Sequence, residues 1–303
     1  MTLRLAAITT AAVCLISAAA FRAPAPVVPD AEMELLASGH PVTNLTVDGR
    51  GPYRFIIDTA ATRTALLAGF RRAHGPLVEG AGMSVAGASG AAEIRLTTLG
   101  RLDVAGRMFE SLEVYNLPDG PVDALGVDGV LGADVLMGFA VEMEPRTGRW
   151  RLDARHTSEP DLSYVPFTLD EGDAPVMTVS VQGQKLAALV DTGAQGTIMN
   201  QAAAAALGLS PEDGSARVER SARGTGSGAT AAWSACLTGF SYDGREPEPV
   251  RMLIADLPVF AALGLADSPA IILGYDHLGR GRIVIDYPES RIGFARKSAA
   301  SPC

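Results

Sequence analysis

The sequence contains two copies of one pattern, and this duplication limits the possible folds more than any other feature. Residues 42–58 read VTNLTVDGRGPYRFIID, and residues 176–191 read VMTVSVQGQKLAALVD. Each copy has an alternating apolar run, a Val-x-Gly turn, a second apolar run and an Asp, which predicts a β-hairpin. The Asp is followed by Thr59-Ala60-Ala61 in the first copy and by Thr192-Gly193-Ala194 in the second.

The two copies also agree further along the chain. Residues 130–136 read VLGADVL, and residues 272–278 read ILGYDHL. Each is followed by an apolar strand, a turn and another strand, so the order and approximate spacing of several elements are preserved. Helical patterns are short, with the best candidates at Leu66–His74 and Asn200–Leu207. We therefore predict an all-β chain with few short helices, built from two repeats of one fold.

Domain boundaries follow from this duplication and from the composition of the segments around it. The polar stretch DARHTSEPDLSYVP contains two prolines and separates the copies. We predict a signal peptide at 1–20, an N-terminal segment at 21–39, a first lobe at 40–152, a linker at 153–166, a second lobe at 167–296 and a tail at 297–303.

The N-terminus has the composition of an export signal. Arg4 precedes an apolar stretch, and Ala18-Ala19-Ala20 offers small residues for cleavage before Phe21. We expect an exported protein, periplasmic or extracellular, with an uncleaved leader that tethers it to the inner membrane as the alternative. In an oxidising compartment Cys236 and Cys303 could form a disulfide, and two free thiols are the alternative.

Composition argues against several classes of protein. The chain has 25 Lys and Arg against 34 Asp and Glu, a net charge of −9, and no basic run, so nucleic acid is not an expected partner. The four histidines show no spacing typical of metal ligands, and no Gly-x-Ser-x-Gly elbow is present. We therefore expect neither a metal nor another cofactor.

The two Asp-Thr turns are the candidate chemical site. Asp58 and Asp191 each end a buried apolar run, which is costly for a carboxylate unless it is used or paired. Pseudo-twofold packing of the repeats would bring the turns together. Two carboxyls at close range share one proton, so that one can activate a water while the other polarises a carbonyl.

These residues resemble the aspartic proteases, and most closely the retropepsin-like bacterial members, here duplicated in one chain as in pepsins. The resemblance covers about residues 40–296. It implies an acid-protease-like β-barrel fold, a catalytic dyad of Asp58 and Asp191, and a polypeptide substrate. It also implies interlocking hydrogen bonds from Thr59 and Thr192, and a ψ-shaped crossing of the Val-Leu-Gly and Ile-Leu-Gly strands. Because both Asp-Thr turns lie in one chain, we expect a monomer.

The sequence departs from the family pattern beside both aspartates. Ala60 stands where the family usually has Gly, as Gly193 does in the second copy. A catalytically degenerate peptide-binding module is therefore the alternative function. Ala61 and Ala194 supply no hydroxyl to the carboxylates, which predicts raised pKa values and an activity optimum near mild acidity or neutrality.

Glycine-rich segments in both copies are candidate substrate-covering flaps, by the same resemblance. The residues concerned are Gly87, Ser89 and Gly90 in the first copy and Gly224, Thr225 and Gly226 in the second. Glycine permits a mobile hairpin tip whose amides can meet an extended peptide. An ordinary exposed loop is the alternative for each segment.

Overall fold

The strands of the two repeats correspond one for one. The computed structural model describes residues 30–87, 90–212, 216–223, 229–242 and 248–295. The first repeat contains β1 (Ala31–Leu35), β2 (Pro41–Val47), β3 (Arg50–Ile57), β4 (Ala65–Leu66), α1 (Ala68–His74), β5 (Glu79–Gly87), β6 (Gly90–Val104), β7 (Arg107–Asn116), a 3₁₀ helix (Pro121–Leu125), β8 (Gly129–Leu131), α2 (Ala133–Leu136), β9 (Ala140–Glu144) and β10 (Arg149–Asp153).

The second repeat contains β11 (Leu162–Leu169), β12 (Pro175–Val181), β13 (Gln184–Val190), β14 (Ile198–Met199), α3 (Gln201–Ala206), β15 (Arg217–Arg223), β16 (Ala229–Phe240), β17 (Glu248–Ile254), α4 (Pro258–Ala262), β18 (Ala270–Leu273), α5 (Tyr275–Leu278), β19 (Ile283–Asp286) and β20 (Arg291–Ala295). The structure is mostly strands with few short helices, and it includes a six-stranded barrel with further strands outside it. The all-β prediction with internal duplication is confirmed.

The hairpins that precede the aspartates form as their sequences predict. In β2–β3 the turn residues Asp48 and Gly49 have φ of 50° and 71°, and in β12–β13 Gln182 and Gly183 have φ of 50° and 82°. Two consecutive positive φ values are the property of the type I′ turn, whose twist matches that of the strands it joins. These turns fix the register that brings each apolar run to its Asp.

In each repeat a short strand threads between two others. Strand β8 pairs in parallel with β3 and antiparallel with β4, and β18 pairs in the same way with β13 and β14. All three residues of β8 and all four of β18 are buried. This is the ψ-shaped crossing that the resemblance implied.

A six-stranded sheet joins the two repeats, in the order β1, β10, β9, β19, β20, β11. Its centre is the antiparallel pairing of β9 with β19, in which Met143 lies opposite Ile283 and Val141 opposite Ile285. Equivalent strands of the two repeats therefore meet at the pseudo-twofold axis. One hydrophobic core extends through both repeats, so neither repeat buries its apolar strands alone.

Two segments that the sequence analysis left outside the lobes contain strands. Strand β1 lies within the 21–39 segment, and Ala31 pairs with Trp150. Residues 162–166, predicted as linker, form the first half of β11, where Val165 lies opposite Ile292. The connection between repeats is accordingly residues 154–161. The helices at 66–74 and 200–207 are confirmed, within one or two residues, as α1 and α3.

Within the described residues, every helix is too short or too polar to cross a membrane. The predicted leader at 1–20 and the tail at 297–303 lie outside the described residues.

Glu142 on β9 bonds to arginines of both neighbouring strands of the central sheet or their ends, Arg151 on β10 and Arg282 just before β19, and its charge should matter for stability. The side chain is buried and accepts hydrogen bonds from Nη2 of Arg151 at 2.5 Å and from Nε of Arg282 at 2.6 Å. Glu142→Gln would leave two guanidinium groups without their shared anion. We expect a loss of about 1–3 kcal/mol in the free energy of unfolding, measured by urea denaturation.

Glu110→Gln is the matched control, because Glu110 is exposed on β7. We expect it to change the free energy of unfolding by no more than about 0.5 kcal/mol. Equal effects of the two variants would mean that the Glu142 ion pairs do not hold the sheet together.

Candidate active site

Two buried strands place the aspartates at equivalent positions. Asp58 directly follows β3, and its backbone N–H donates to the carbonyl of Leu131 at 3.1 Å. Asp191 follows β13, and its N–H donates to the carbonyl of Leu273 at 3.0 Å. Each Asp therefore continues the parallel pairing with the threaded strand, β8 for Asp58 and β18 for Asp191. This pairing fixes the position of the Asp backbone.

The glycine that ends each threaded strand lets the aspartate loop pack against it. A β-carbon at Gly132 would lie 2.5 Å from the carbonyl carbon of Arg63, and one at Gly274 would lie 2.6 Å from that of Gly196. No side chain fits at such a distance. The Val-Leu-Gly and Ile-Leu-Gly elements therefore act as close supports for the two Asp-Thr turns.

The two Asp-Thr turns are locked to each other by reciprocal hydrogen bonds. The Thr59 hydroxyl donates to the carbonyl of Val190, and the Thr192 hydroxyl donates to that of Ile57, both at 2.7 Å. Each hydroxyl also accepts the other threonine's backbone N–H, at 3.1 and 3.2 Å. Both side chains are fully buried. This is the interlocking that the resemblance implied for Thr59 and Thr192.

The lock brings the two carboxyls together. The Asp58 and Asp191 carboxyls are close enough that each shifts the pKa of the other, and two carboxyls at such range share one proton. Oδ1 of Asp58 accepts the N–H groups of Ala60 and Ala61 at 2.9 and 3.0 Å, and Oδ1 of Asp191 accepts that of Ala194 at 2.9 Å. Both side chains are half-buried, so the pair keeps some access to solvent.

The surroundings of the pair favour retention of a proton. Burial raises the pKa of Asp58, and the N–H donors of Ala60 and Ala61 partly oppose that rise. Burial also raises the pKa of Asp191 well above its usual value, and the negative charge of Asp58 raises it further. Two N–H groups bond Oδ1 of Asp58 and one bonds Oδ1 of Asp191, which favours Asp58 as the ionised member of a pair that shares one proton and titrates as a unit.

The Gly-to-Ala difference beside the dyad has a structural explanation. Ala60 is not among the residues with positive φ, so its methyl group causes no left-handed strain. It packs beside an apolar cluster of the second repeat that includes Leu189 and Ile272. At Gly193, by contrast, a β-carbon would lie 2.3 Å from both Cγ and Oδ2 of Asp58. Glycine is needed at 193, whereas alanine fits at 60.

Two threonines that sequence reasoning missed support the site from behind. The Thr64 hydroxyl donates to Asp134 at 2.8 Å and accepts the N–H of Gly132, and Thr197 does the same with Asp276 and Gly274. Both threonines are buried. Each stands six positions after its aspartate, and this equal offset in the two copies was the available signal.

The predicted flap residues lie at hairpin ends as far as the structure describes them. Gly87 and Gly90 pair with each other at the end of the β5–β6 hairpin, and β5 approaches helix α4 of the second repeat. In the second repeat Arg223 pairs with Ala229 at the corresponding end of β15–β16. Ser89, Gly224, Thr225 and Gly226 lie outside the described residues, and a role in binding substrate stays a prediction.

The predicted disulfide is described at one end only. Cys236 lies on β16 and is disulfide-bonded. Cys303 lies outside the described residues, so its pairing with Cys236 stays a prediction.

One further polar cluster and two surface cavities do not include the dyad. Glu142, His156 and Glu159 bring three possible metal-ligand atoms within 4.8 Å of one another, but both glutamates are already paired with Arg282. Surface cavities of 410 and 310 Å³ on the first repeat include neither carboxyl.

Comparison with known families agrees with this geometry. The model of the aspartyl protease family matches the chain twice, at residues 43–135 and 177–277. Together the two matches cover more than half of the chain, and each contains one Asp-Thr turn with its supporting strands. The chain belongs to the aspartyl protease family. A search among curated proteins gave no match.

The unequal positions 60 and 193 give a direct test of the site geometry. Gly193→Ala would press a methyl group into the Asp58 carboxyl, so we expect a loss of about 1–3 kcal/mol in the free energy of unfolding. Ala60→Gly removes a methyl group from a position without positive φ, so we expect a loss of about 1 kcal/mol or less. Denaturant unfolding of the two variants measures both values, and the reverse order would contradict the described packing.

Proposed function

We propose that the protein is an exported aspartic endopeptidase, which hydrolyses peptide bonds with a water activated between Asp58 and Asp191. The observation that carries this proposal is the reciprocal bonding of Thr59 and Thr192, which holds the two Asp-Thr turns together with their carboxyls side by side. Membership of the aspartyl protease family supports it. Because one chain supplies both aspartates, a monomer suffices for the dyad.

The chemistry follows from the unequal protonation of the pair. The Asp58 carboxylate takes a proton from the water as its oxygen attacks the peptide carbonyl carbon. Asp191 gives its proton to the carbonyl oxygen, so that a neutral gem-diol forms. The carbon–nitrogen bond then breaks, Asp58 protonates the leaving amine, and one gem-diol hydroxyl returns a proton to Asp191. The dyad regains its starting state with one shared proton.

Replacement of either dyad aspartate by Asn should abolish this cycle while the fold persists. Asp58→Asn removes the base, and Asp191→Asn removes the acid. We expect turnover of a peptide mixture to fall by at least about 10²–10⁴-fold in each variant. Mass spectrometry of the digest measures cleavage, and circular dichroism checks the fold. Peptidase activity retained in Asp191→Asn would refute the assignment, and binding without cleavage by the unmodified protein would favour a peptide-binding module.

The raised pKa values predict the direction of the pH dependence. Below the lower apparent pKa of the pair both carboxyls are protonated and no base remains, and above the higher apparent pKa the acid is lost. Because burial raises both pKa values, both limbs of the profile should lie at higher pH than ordinary aspartates would give. A profile of kcat/KM against pH measures this, and a maximum below about pH 3.5 would contradict it.

A further inference from the structure

An acidic loop of the second repeat lies beside the dyad. Residues 170–174 join β11 to β12, with the carboxylates at 170–173, and a β-carbon at Gly172 would lie 3.0 Å from Oγ1 of Thr62. Thr62 is exposed and stands four positions after Asp58, on the same loop. The acidic loop therefore borders the dyad from one side.

The loop presents three carboxylates without a basic partner. It contains Asp170, Glu171 and Asp173, and no ion pair joins any of the three to a cation in the part of the chain that the structure describes. Oδ1 of Asp170 closes the turn by accepting the N–H groups of Gly172 and Ala174, both at 2.8 Å. Its Oδ2 is buried and has no hydrogen-bond partner among the described residues.

A buried tyrosine hydroxyl at the same place also lacks a partner. Tyr287 is 7% exposed, and its ring packs against Phe167 with centroids 5.8 Å apart. Its hydroxyl makes no hydrogen bond within the described chain. It lies close enough to Asp58, Asp173 and Asp170 that their charges, added to the effect of burial, raise its pKa. Unpaired buried polar atoms are uncommon, and here two of them lie at one acidic loop.

The equivalent loop of the first repeat is different in charge. Residues Leu36–His40 join β1 to β2, and a β-carbon at Gly39 would lie 3.4 Å from Cγ of Gln195, four positions after Asp191. This loop contains no carboxylate, and its polar side chains Ser38 and His40 bond to each other at 2.8 Å. The loops on the two sides of the dyad therefore make equivalent contacts and differ in charge.

We propose that the loop Asp170–Asp173 and Tyr287 form a subsite for a lysine or arginine side chain of the polypeptide substrate, on one side of the scissile bond. This inference rests on the proposed function, because it concerns the substrate of the same site. A basic side chain carries N–H donors, whereas Oδ2 of Asp170 and the Tyr287 oxygen have no hydrogen-bond partner among the described residues. Glu171 and Asp173 supply the charge that attracts it from solvent.

Matched peptides test the subsite. One peptide series carries a single lysine moved stepwise through the positions on both sides of an apolar cleavage site, and the other carries glutamine at the same positions. We expect one position at which lysine raises kcat/KM by about three- to tenfold over glutamine, and a smaller ratio at high salt. Binding of the same peptides to the non-hydrolysing Asp191→Asn protein can be measured by fluorescence anisotropy. We expect a lower dissociation constant for the lysine peptide than for the glutamine peptide at the same position.

Three variants identify the residues responsible. In the double variant Glu171→Gln/Asp173→Asn, the ratio of kcat/KM for the lysine peptide to kcat/KM for the glutamine peptide should fall to about two or less. Tyr287→Phe should lower the ratio as well while leaving the free energy of unfolding unchanged, because no hydrogen bond within the protein is lost. Glu110→Gln, the same change of charge on an exposed strand of the first repeat, should leave the ratio unaltered.

The outcomes separate this inference from the proposed hydrolysis. Cleavage and binding without preference for lysine at any position would overturn the subsite and leave the peptidase assignment intact. Lysine-dependent binding without cleavage by the unmodified protein would support the subsite and refute hydrolysis. A preference that survives the Glu171 and Asp173 changes and persists in Tyr287→Phe would also overturn the subsite.

Discussion

The site depends on the exchange of hydrogen bonds between Thr59 and Thr192. Two carboxyls in a partly buried place repel each other when both are ionised, so nothing in Asp58 and Asp191 themselves favours their approach. Each threonine hydroxyl instead bonds the carbonyl of the residue just before the opposite aspartate. The positions of the two carboxyls are thereby set by neutral buried groups, and the raised pKa values of the pair favour retention of a proton, which reduces their repulsion.

The glycines that pack behind the two Asp-Thr turns are equivalent in the two repeats, whereas the residues next to the two carboxyls differ. Gly132 and Gly274 accept close packing of the two loops in the same way. Next to the carboxyls, Gly193 leaves room for Asp58, while Ala60 places a methyl group beside the apolar cluster of the second repeat. The alanine at position 60, where the family usually has glycine, is therefore accommodated by packing. Of the two equivalent positions, 60 and 193, only position 60 has room for it.

Local patterns in the sequence predict much of this structure. The type I′ turns, the apolar runs before each Asp, the helices after them and the duplication itself depend on neighbours within a few residues or on direct comparison of two segments. Strand β1 and the first half of β11 were not predicted, because their pairing partners, such as Trp150 for Ala31 and Ile292 for Val165, are more than 100 residues away. Tyr287 gave no local signal, since its surroundings are created by the packing of distant segments.

Duplication within one chain has a consequence for how a substrate can lie. A site formed by two identical subunits carries the same loop on both sides of its dyad, so the protein offers no charge difference along an extended peptide. Here the loop at 36–40 is without carboxylates, and the loop at 170–173 carries three. Because the two halves are covalently joined, each half was able to diverge without a change in the other. An asymmetric distribution of charge on a symmetric fold can then favour one of the two N-to-C orientations in which a peptide could bind. That orientation determines which residues of the peptide lie on either side of the scissile bond.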